Sequence, residues 1–318
     1  MNPVLIWTSV FVVSMLVLVK SADIFTASSV RLGEWMRLPS FLVGVLIVAA
    51  GTSLPELCSS VFAVWQGAPE IVSGNVIGSN VTNILLVIGL SSCYAGRLMF
   101  SRKSLAMDLW LLAGVTTLLV LFSIDGRIVL WEGLVCLGAM VYYIWYVLTG
   151  EGRISEELHA EQGGQRPEMI EIIKVIVTFL LATGAIYVSS SFTVRSVVVL
   201  GEILGVGPQV IAAGAVALGT SLPELTVSIT AVRKGEGDIA VGNVLGSNIF
   251  NSLAVIGIPS LLGVLPVTVE MLKLGLPVMV AATLYFTYIV KDRHVTRLEG
   301  FVALAGYGFF LTCLFSMF

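Results

Sequence analysis

The chain has 318 residues, 57% of them hydrophobic and only 12% charged, with a mean hydropathy of +0.99. A soluble domain carries about a quarter charged residues, so the composition excludes one and leaves a polytopic membrane protein. A net charge of −3 and a pI near 5.5 supply no basic stripe, which argues against a nucleic-acid partner.

A bilayer core ~30 Å thick takes ~20 apolar residues per crossing helix. On that rule ten spans are expected, the first five near residues 3–20, 40–66, 70–95, 105–123 and 127–149. The other five fall near 169–192, 209–232, 237–262, 273–290 and 297–317. The first and sixth are expected to continue as amphipathic stretches to about residues 34 and 202. The N-terminus lacks the basic region of a signal peptide, so residues 3–20 read as a retained span. One polar linker, 150–168, divides the chain into halves of five spans, 1–149 and 169–318. With the N-terminus outside, only Arg127, Arg195 and Lys273 of the 17 lysines and arginines fall on the outer side. That bias predicts extracellular termini and a cytoplasmic linker in a multi-pass protein of the cell membrane. The cysteines Cys58, Cys93, Cys136 and Cys313 lie in apolar runs without metal-like spacing and read as buried small hydrophobes.

Within these spans one pair of phrases occurs twice. Gly51-Thr52-Ser53-Leu54-Pro55-Glu56-Leu57 returns as Gly219-Thr220-Ser221-Leu222-Pro223-Glu224-Leu225. Gly74-Asn75-Val76-Ile77-Gly78-Ser79-Asn80 with Asn83 returns as Gly242-Asn243-Val244-Leu245-Gly246-Ser247-Asn248 with Asn251. Every match is offset by 168 positions without a gap, so residues 44–89 and 212–257 are a duplicated unit. Five spans is an odd number, so the second half enters the membrane in the opposite sense. The expected fold is an all-α membrane protein of two inverted five-helix repeats, the architecture of many secondary transporters, with helices 2 and 7 broken.

The phrases place Glu56 and Glu224 in the middle of apolar spans, where an ionised group is expensive. No lysine or arginine lies at comparable depth, so protons or bound metal cations are the compensating charge. Pro55 and Pro223 have no N–H, leaving the carbonyls of Gly51 and Gly219 without a helical donor. Broken helix at this depth is tolerated where it lines a cavity or is buried in protein. Ser79 and Asn83 share one face of the third span, and Ser247 and Asn251 one face of the eighth. These small polar residues read as ligands or as interhelical glue, and Gly74, Gly78, Gly242 and Gly246 as close-packing faces. All donors are hard oxygens, which suits Ca²⁺ or Na⁺ and suits zinc or copper poorly. Two carboxylates neutralise one Ca²⁺ or two Na⁺. Glu70 and Asp238, also 168 apart, suit positive helix N-termini, or attract cations to the two mouths.

Gly-Thr-Ser-Leu-Pro-Glu followed by Gly-Asn-x-x-Gly-Ser-Asn, in both halves, resembles the α-repeats of the sodium/calcium exchanger family within the cation/Ca²⁺ antiporter superfamily. Without a large cytoplasmic loop, the chain is similar to the compact prokaryotic branch. The resemblance implies a cation site built from Ala49, Thr52, Ser53, Glu56, Ser79 and Asn83. Its second half would be Ala217, Thr220, Ser221, Glu224, Ser247 and Asn251, the alanines contributing backbone carbonyls. Several relatives carry Asp where this chain has Asn251, and an amide holds neither proton nor charge. Na⁺ stoichiometry and K⁺ dependence therefore stay open.

The expected function is secondary active Na⁺/Ca²⁺ exchange by alternating access at a midplane site, with H⁺/Ca²⁺ exchange as the alternative and a cation channel a weaker one. The partners are the lipid bilayer and the transported Ca²⁺ and Na⁺, with H⁺ as the alternative coupling ion. No cofactor and no obligate protein partner are implied. A hydrolase is excluded: the only histidines, His159 and His294, fall in predicted loops, and no Gly-x-Ser-x-Gly or His-Glu-x-x-His is present.

Overall fold

The computed structural model describes residues 3–36, 38–101, 105–149, 168–203 and 221–317. Helix α1 (Pro3–Trp35) is followed by α2 (residues 40–52), α3 (Leu54–Trp65) and α4 (Glu70–Ala95). After the short strand β1 (Arg97–Met99) come α5 (Leu105–Ser123), β2 (Arg127–Ile128) and α6 (Leu130–Thr149). The later part contains α7 (Met169–Ile203), α8 (Leu222–Arg233), α9 (Gly237–Ser260) and β3 (Leu265–Pro266). It ends with α10 (Met271–Ile289), β4 (His294–Thr296) and α11 (Arg297–Phe315).

Among the described residues, eight helical stretches are long and apolar enough to cross a membrane, one of them α2 and α3 taken together. Helix α5 is a shorter apolar helix. Half of the predicted seventh span, residues 209–220, lies outside the described residues, and α8 supplies most of the rest. Helices α1 and α7 continue unbroken to residues 35 and 203, giving 33 and 35 residues. That is about 50 Å each, well beyond a bilayer core.

The helices sort into inner and outer sets by burial. In the most apolar window of α9, 94% of residues are buried, against 17% in α1 and α7. Large apolar side chains such as Leu16, Val141, Leu181 and Leu298 stand exposed on the outer helices, a surface suited to lipid. Helix α9 lies directly on α2 because glycine lets their backbones meet. A Cβ at Gly242 would stand 2.5 Å from Phe41 O, and one at Gly246 2.4 Å from Val45 O. Gly44 makes the reciprocal approach, its Cβ position 2.6 Å from Ile239 O. At Gly74 and Gly78 an added Cβ meets nothing within 4 Å among the described residues. The positions 168 residues after Phe41 and Val45, 209 and 213, lie outside the described residues.

Two short antiparallel strand pairs tie the halves together, β1 with β4 (Leu98 opposite Val295) and β2 with β3 (Ile128 opposite Leu265). Asp238, at the start of α9, accepts hydrogen bonds from Ser101 N (2.9 Å) and Ser101 Oγ (2.7 Å), so its carboxylate fastens the segment after β1. Of the four cysteines, Cys136 is buried as expected, whereas Cys58 on α3 is exposed.

Candidate cation site

The break in the second span is sharper than a kink. Ser53 leaves the helical region (φ −90°, ψ 3°), and Pro55 occupies the first turn of a new helix, where a missing N–H costs nothing. Ser221 has the same conformation (φ −96°, ψ 6°), with Pro223 in the first turn of α8. Each break thus sets a glutamate, Glu56 or Glu224, in the first turn of a helix that starts inside the bundle. Both carboxylates are fully buried.

The residues facing the breaks come from α4 and α9. Each has a π-helical turn beginning at a motif asparagine, Asn83–Val87 in α4 and Asn251–Val255 in α9. Wide turns of this kind inside α-helices often mark functional sites. Ser79, Asn83, Ser247 and Asn251 are all buried, as are Ala49, Thr52, Ser53 and Ser221. Ala217 and Thr220 lie outside the described residues.

Hydrogen bonds join the halves at this level. Ser53 Oγ donates to Glu224 Oε1 at 3.2 Å. Thr52 Oγ1 donates to Asn243 Oδ1 at 3.1 Å and lies 3.5 Å from Ser247 Oγ. Asn83 Nδ2 donates to Asn248 Oδ1 at 3.5 Å, and Asn80 Nδ2 to Ser252 Oγ at 2.8 Å. A matched pair of bonds then holds each broken helix to its neighbour. Asn75 Nδ2 reaches Glu56 O at 3.4 Å and Ser60 Oγ at 3.1 Å. Asn243 Nδ2 reaches Glu224 O at 3.4 Å and Ser228 Oγ at 2.9 Å. The motif asparagines Asn75 and Asn243 are therefore positioning residues, a role their sequence spacing left unassigned.

Several buried oxygens find no hydrogen-bond partner among the described residues: both of Glu56, Glu224 Oε2, Asn83 Oδ1, Asn251 Oδ1 and Ser221 Oγ. Buried polar groups are normally paired, and unpaired carboxylate oxygens at such depth are costly. The ion pairs formed between described residues, Asp125 with Arg127 and Asp23 with Arg233 and Lys234, all lie elsewhere. Among the described residues no three His, Cys, Asp or Glu side chains cluster. What converges is two carboxylates with amide and hydroxyl oxygens, a donor set fitted to hard cations.

The family model described as sodium/calcium exchanger protein matches residues 6–149 and 174–316. The chain belongs to the sodium/calcium exchanger family. It is 29% identical to the sodium/calcium exchanger MaX1 of Methanosarcina acetivorans over 96% of this chain and 97% of that protein. It is 32% identical to the inner membrane protein YrbG of Escherichia coli over 81% of this chain and 80% of that one. Among solved structures, the sodium-calcium exchanger NCX_Mj superimposes with a TM-score of 0.82 at 27% identity, covering 97% of this chain and 99% of that one. This family member is thus a multi-pass membrane transporter rather than an enzyme.

Proposed function

We propose that this exchanger-family chain exchanges Na⁺ for Ca²⁺ by alternating access, at a site built from both copies of the duplication. The observation that carries the reading is the group of buried oxygens on Glu56, Glu224, Asn83, Asn251 and Ser221 that have no hydrogen-bond partner among the described residues. Two ionised carboxylates in a low-dielectric interior require compensating charge, and no basic side chain among the described residues supplies it. One Ca²⁺ or two Na⁺ would do so. The proposed ligands are Ala49, Thr52, Ser53, Glu56, Ser79 and Asn83 with Ala217, Thr220, Ser221, Glu224, Ser247 and Asn251, the alanines acting through their carbonyls. The names of MaX1 and NCX_Mj as sodium/calcium exchangers support Na⁺ as the coupling ion.

The proposed architecture is ten helices in two inverted repeats, 1–149 and 169–318, joined by a cytoplasmic linker. The strand pairs support the inversion. Under the 168-residue offset β1 corresponds to β3, and β2 to β4. Helix α5 lies between β1 and β2, so crossing the bilayer sets those two strands on opposite sides. Yet β1 pairs with β4, so corresponding strands β2 and β4 occupy opposite sides. The distribution of Lys and Arg supports extracellular termini.

Asn251 favours a second reading, H⁺/Ca²⁺ exchange, because it leaves only two groups able to carry charge, and each can carry a proton. The test is ⁴⁵Ca²⁺ uptake into proteoliposomes, driven either by a Na⁺ gradient at clamped pH or by a pH gradient without Na⁺. Uptake under the Na⁺ gradient alone is expected. Uptake under the pH gradient alone selects the proton-coupled exchanger, and equal leak under neither gradient selects a channel.

A further inference from the structure

The outer helices α1 and α7 carry a groove that the cation site does not use. At one end is a cleft of about 400 Å³ lined by Lys20, Asp23 and Arg31 of α1 and Lys174 and Thr178 of α7. A trough of about 800 Å³ is lined by Val13 and Val17 of α1 and by Leu181 and Val188 of α7. The two are parts of one groove. On α1 the lining positions 10, 13, 17, 20, 24, 27 and 31 recur in steps of three and four. On α7 positions 174, 178, 181, 185, 188 and 192 do the same. Such steps keep to one face of each helix.

Among the described residues, no acidic side chain is left to compensate the charge at the basic end. Asp23 is engaged by Arg233 and Lys234 of α8. Lys20, Arg31 and Lys174 form no ion pair with a described residue, and the other acidic residues of the two helices, Glu34, Glu171 and Glu202, do not line the cleft. Nor does the duplication account for this end. The 168-residue offset carries Lys20, Asp23 and Arg31 onto Val188, Ser191 and Val199, and carries Ile6 onto Lys174. One end of the groove therefore gathers three cations that have no counterpart at their matching positions, while near the repeat-related end Arg195, the match of Ala27, stands over the Trp7 ring. A topological bias of Lys and Arg explains why they lie at one end of the helices. It does not explain why three of them converge on the face that continues into an apolar trough.

We infer that the α1–α7 groove binds an anionic phospholipid. Its phosphate sits among Lys20, Arg31 and Lys174, and an acyl chain lies along Val13, Val17, Leu181 and Val188. Basic pockets between membrane helices recognise anionic headgroups in this way, each nearby cation strengthening attraction by about fivefold. Inorganic phosphate would match the mouth of the groove but gain nothing from its trough.

Native mass spectrometry of the purified full chain, loaded with phosphatidylglycerol or with phosphatidylcholine of the same acyl chains, tests this. The wild type is expected to retain phosphatidylglycerol on the order of tenfold or more over phosphatidylcholine. The combined variant Lys20→Gln, Arg31→Gln, Lys174→Gln loses that preference, whereas Lys20→Arg, Arg31→Lys, Lys174→Arg keeps it. Gly184 lines the trough, and an added Cβ there meets nothing within 4 Å. Gly184→Leu therefore has room for its Cβ, projects the rest of its side chain into the trough, and lowers phosphatidylglycerol retention while leaving every charge in place. Equal retention of the two lipids by the wild type overturns the proposal, as does a preference that survives the triple Gln variant or full retention by Gly184→Leu. Displacement of the lipid by millimolar glycerophosphate also overturns it, assigning the cleft to a soluble phosphate.

Discussion

Ser53 Oγ donates a hydrogen bond to Glu224 Oε1 across the interface between the two halves, and the corresponding bond from Ser221 to Glu56 is not made. The duplication supplies both serines and both glutamates, but packing uses them differently. One carboxylate is held from the opposite half, and the other presents both oxygens without a hydrogen-bond partner among the described residues. Both are buried, so the ionised form of each would need a bound cation to offset its charge.

Replacing either carboxylate by its amide keeps the shape and one oxygen while removing the charge. Glu56→Gln and Glu224→Gln are each expected to lower coupled ⁴⁵Ca²⁺ uptake by at least about a hundredfold, nearly 3 kcal/mol of transport barrier. Expression and elution as a folded protein should be retained. Robust uptake in either variant would refute a site shared by the two glutamates.

The serines separate the two kinds of contact. Ser53→Ala removes the donor to Glu224 and is expected to cost about 1 kcal/mol of stability without ions. In a thermal melt this is a fall of about 2 °C. Ser221 Oγ has no hydrogen-bond partner among the described residues, so Ser221→Ala should leave the ion-free melt unchanged. Both variants should reduce the stabilisation that added Ca²⁺ confers. A Ca²⁺ shift of wild-type size in both would remove the serines from the ligand set.

At position 251 the side chain is fully buried and neither polar atom has a hydrogen-bond partner among the described residues. Asn251→Asp adds a third negative charge with little change of volume. The expected outcome is an altered cation requirement: a steeper Na⁺ dependence, or new sensitivity to pH or K⁺, at similar protein abundance. An unchanged uptake profile across those ions would show that residue 251 does not face them.

Contact between α9 and α2 sets the position of Ala49. A Cβ at Gly246 would stand 2.7 Å from the Ala49 Cβ as well as against Val45 O. Gly246→Ala must push the helices apart, at about 1–3 kcal/mol for overpacking. A lowered melting temperature together with weaker Ca²⁺ stabilisation is expected. A wild-type melt and wild-type Ca²⁺ response would mean that the approach of α9 to α2 does not shape the site.

Much of this was legible in the sequence because duplication is a strong signal. The constant 168-residue offset pointed to Glu56, Glu224 and the asparagine phrases before any packing was known. The long helices α1 and α7 followed from apolar length. Other features had no such signal. The π-helical turns at Asn83 and Asn251 leave the hydrophobic pattern unchanged, since both segments are apolar on every side. The bonds of Asn80 to Ser252 and of Thr52 to Asn243 pair residues of the two halves that sequence spacing cannot match. A repeated phrase also predicts equal contacts in both copies, whereas Ser53 bonds Glu224 and the equally duplicated Ser221 does not bond Glu56. Nor does the apolar pattern signal that Asp108 and Glu132, in the first turns of α5 and α6, are buried. Glu132 Oε2 accepts from Val129 N at 2.8 Å at its helix start.

Alternating access requires a part that moves relative to the site, and α1 with α7 is the best candidate. The two helices pack along each other, with Phe25 and Phe179 stacked at 4.9 Å, and they lie on the outside of the bundle. Phe25 also presses on the first break, its ring 2.7 Å from a Cβ built at Gly51. At one end Asp23 of α1 is tied to Arg233 and Lys234 of α8. Sliding of the pair must break that tie, and the partly exposed ions make it a weak one. In a background lacking Cys58, Cys93, Cys136 and Cys313, Leu54→Cys and Leu222→Cys place probes beside the two breaks. Their labelling by impermeant reagents is expected to change in opposite senses when the ion gradient is reversed. Asp23→Asn, which frees α1 from α8, is expected to raise labelling from the end of the bundle that carries Lys20 and Arg31. Labelling of both probes from both sides under every ion condition would mean a continuous pore, and exchange by a moving outer pair would be ruled out.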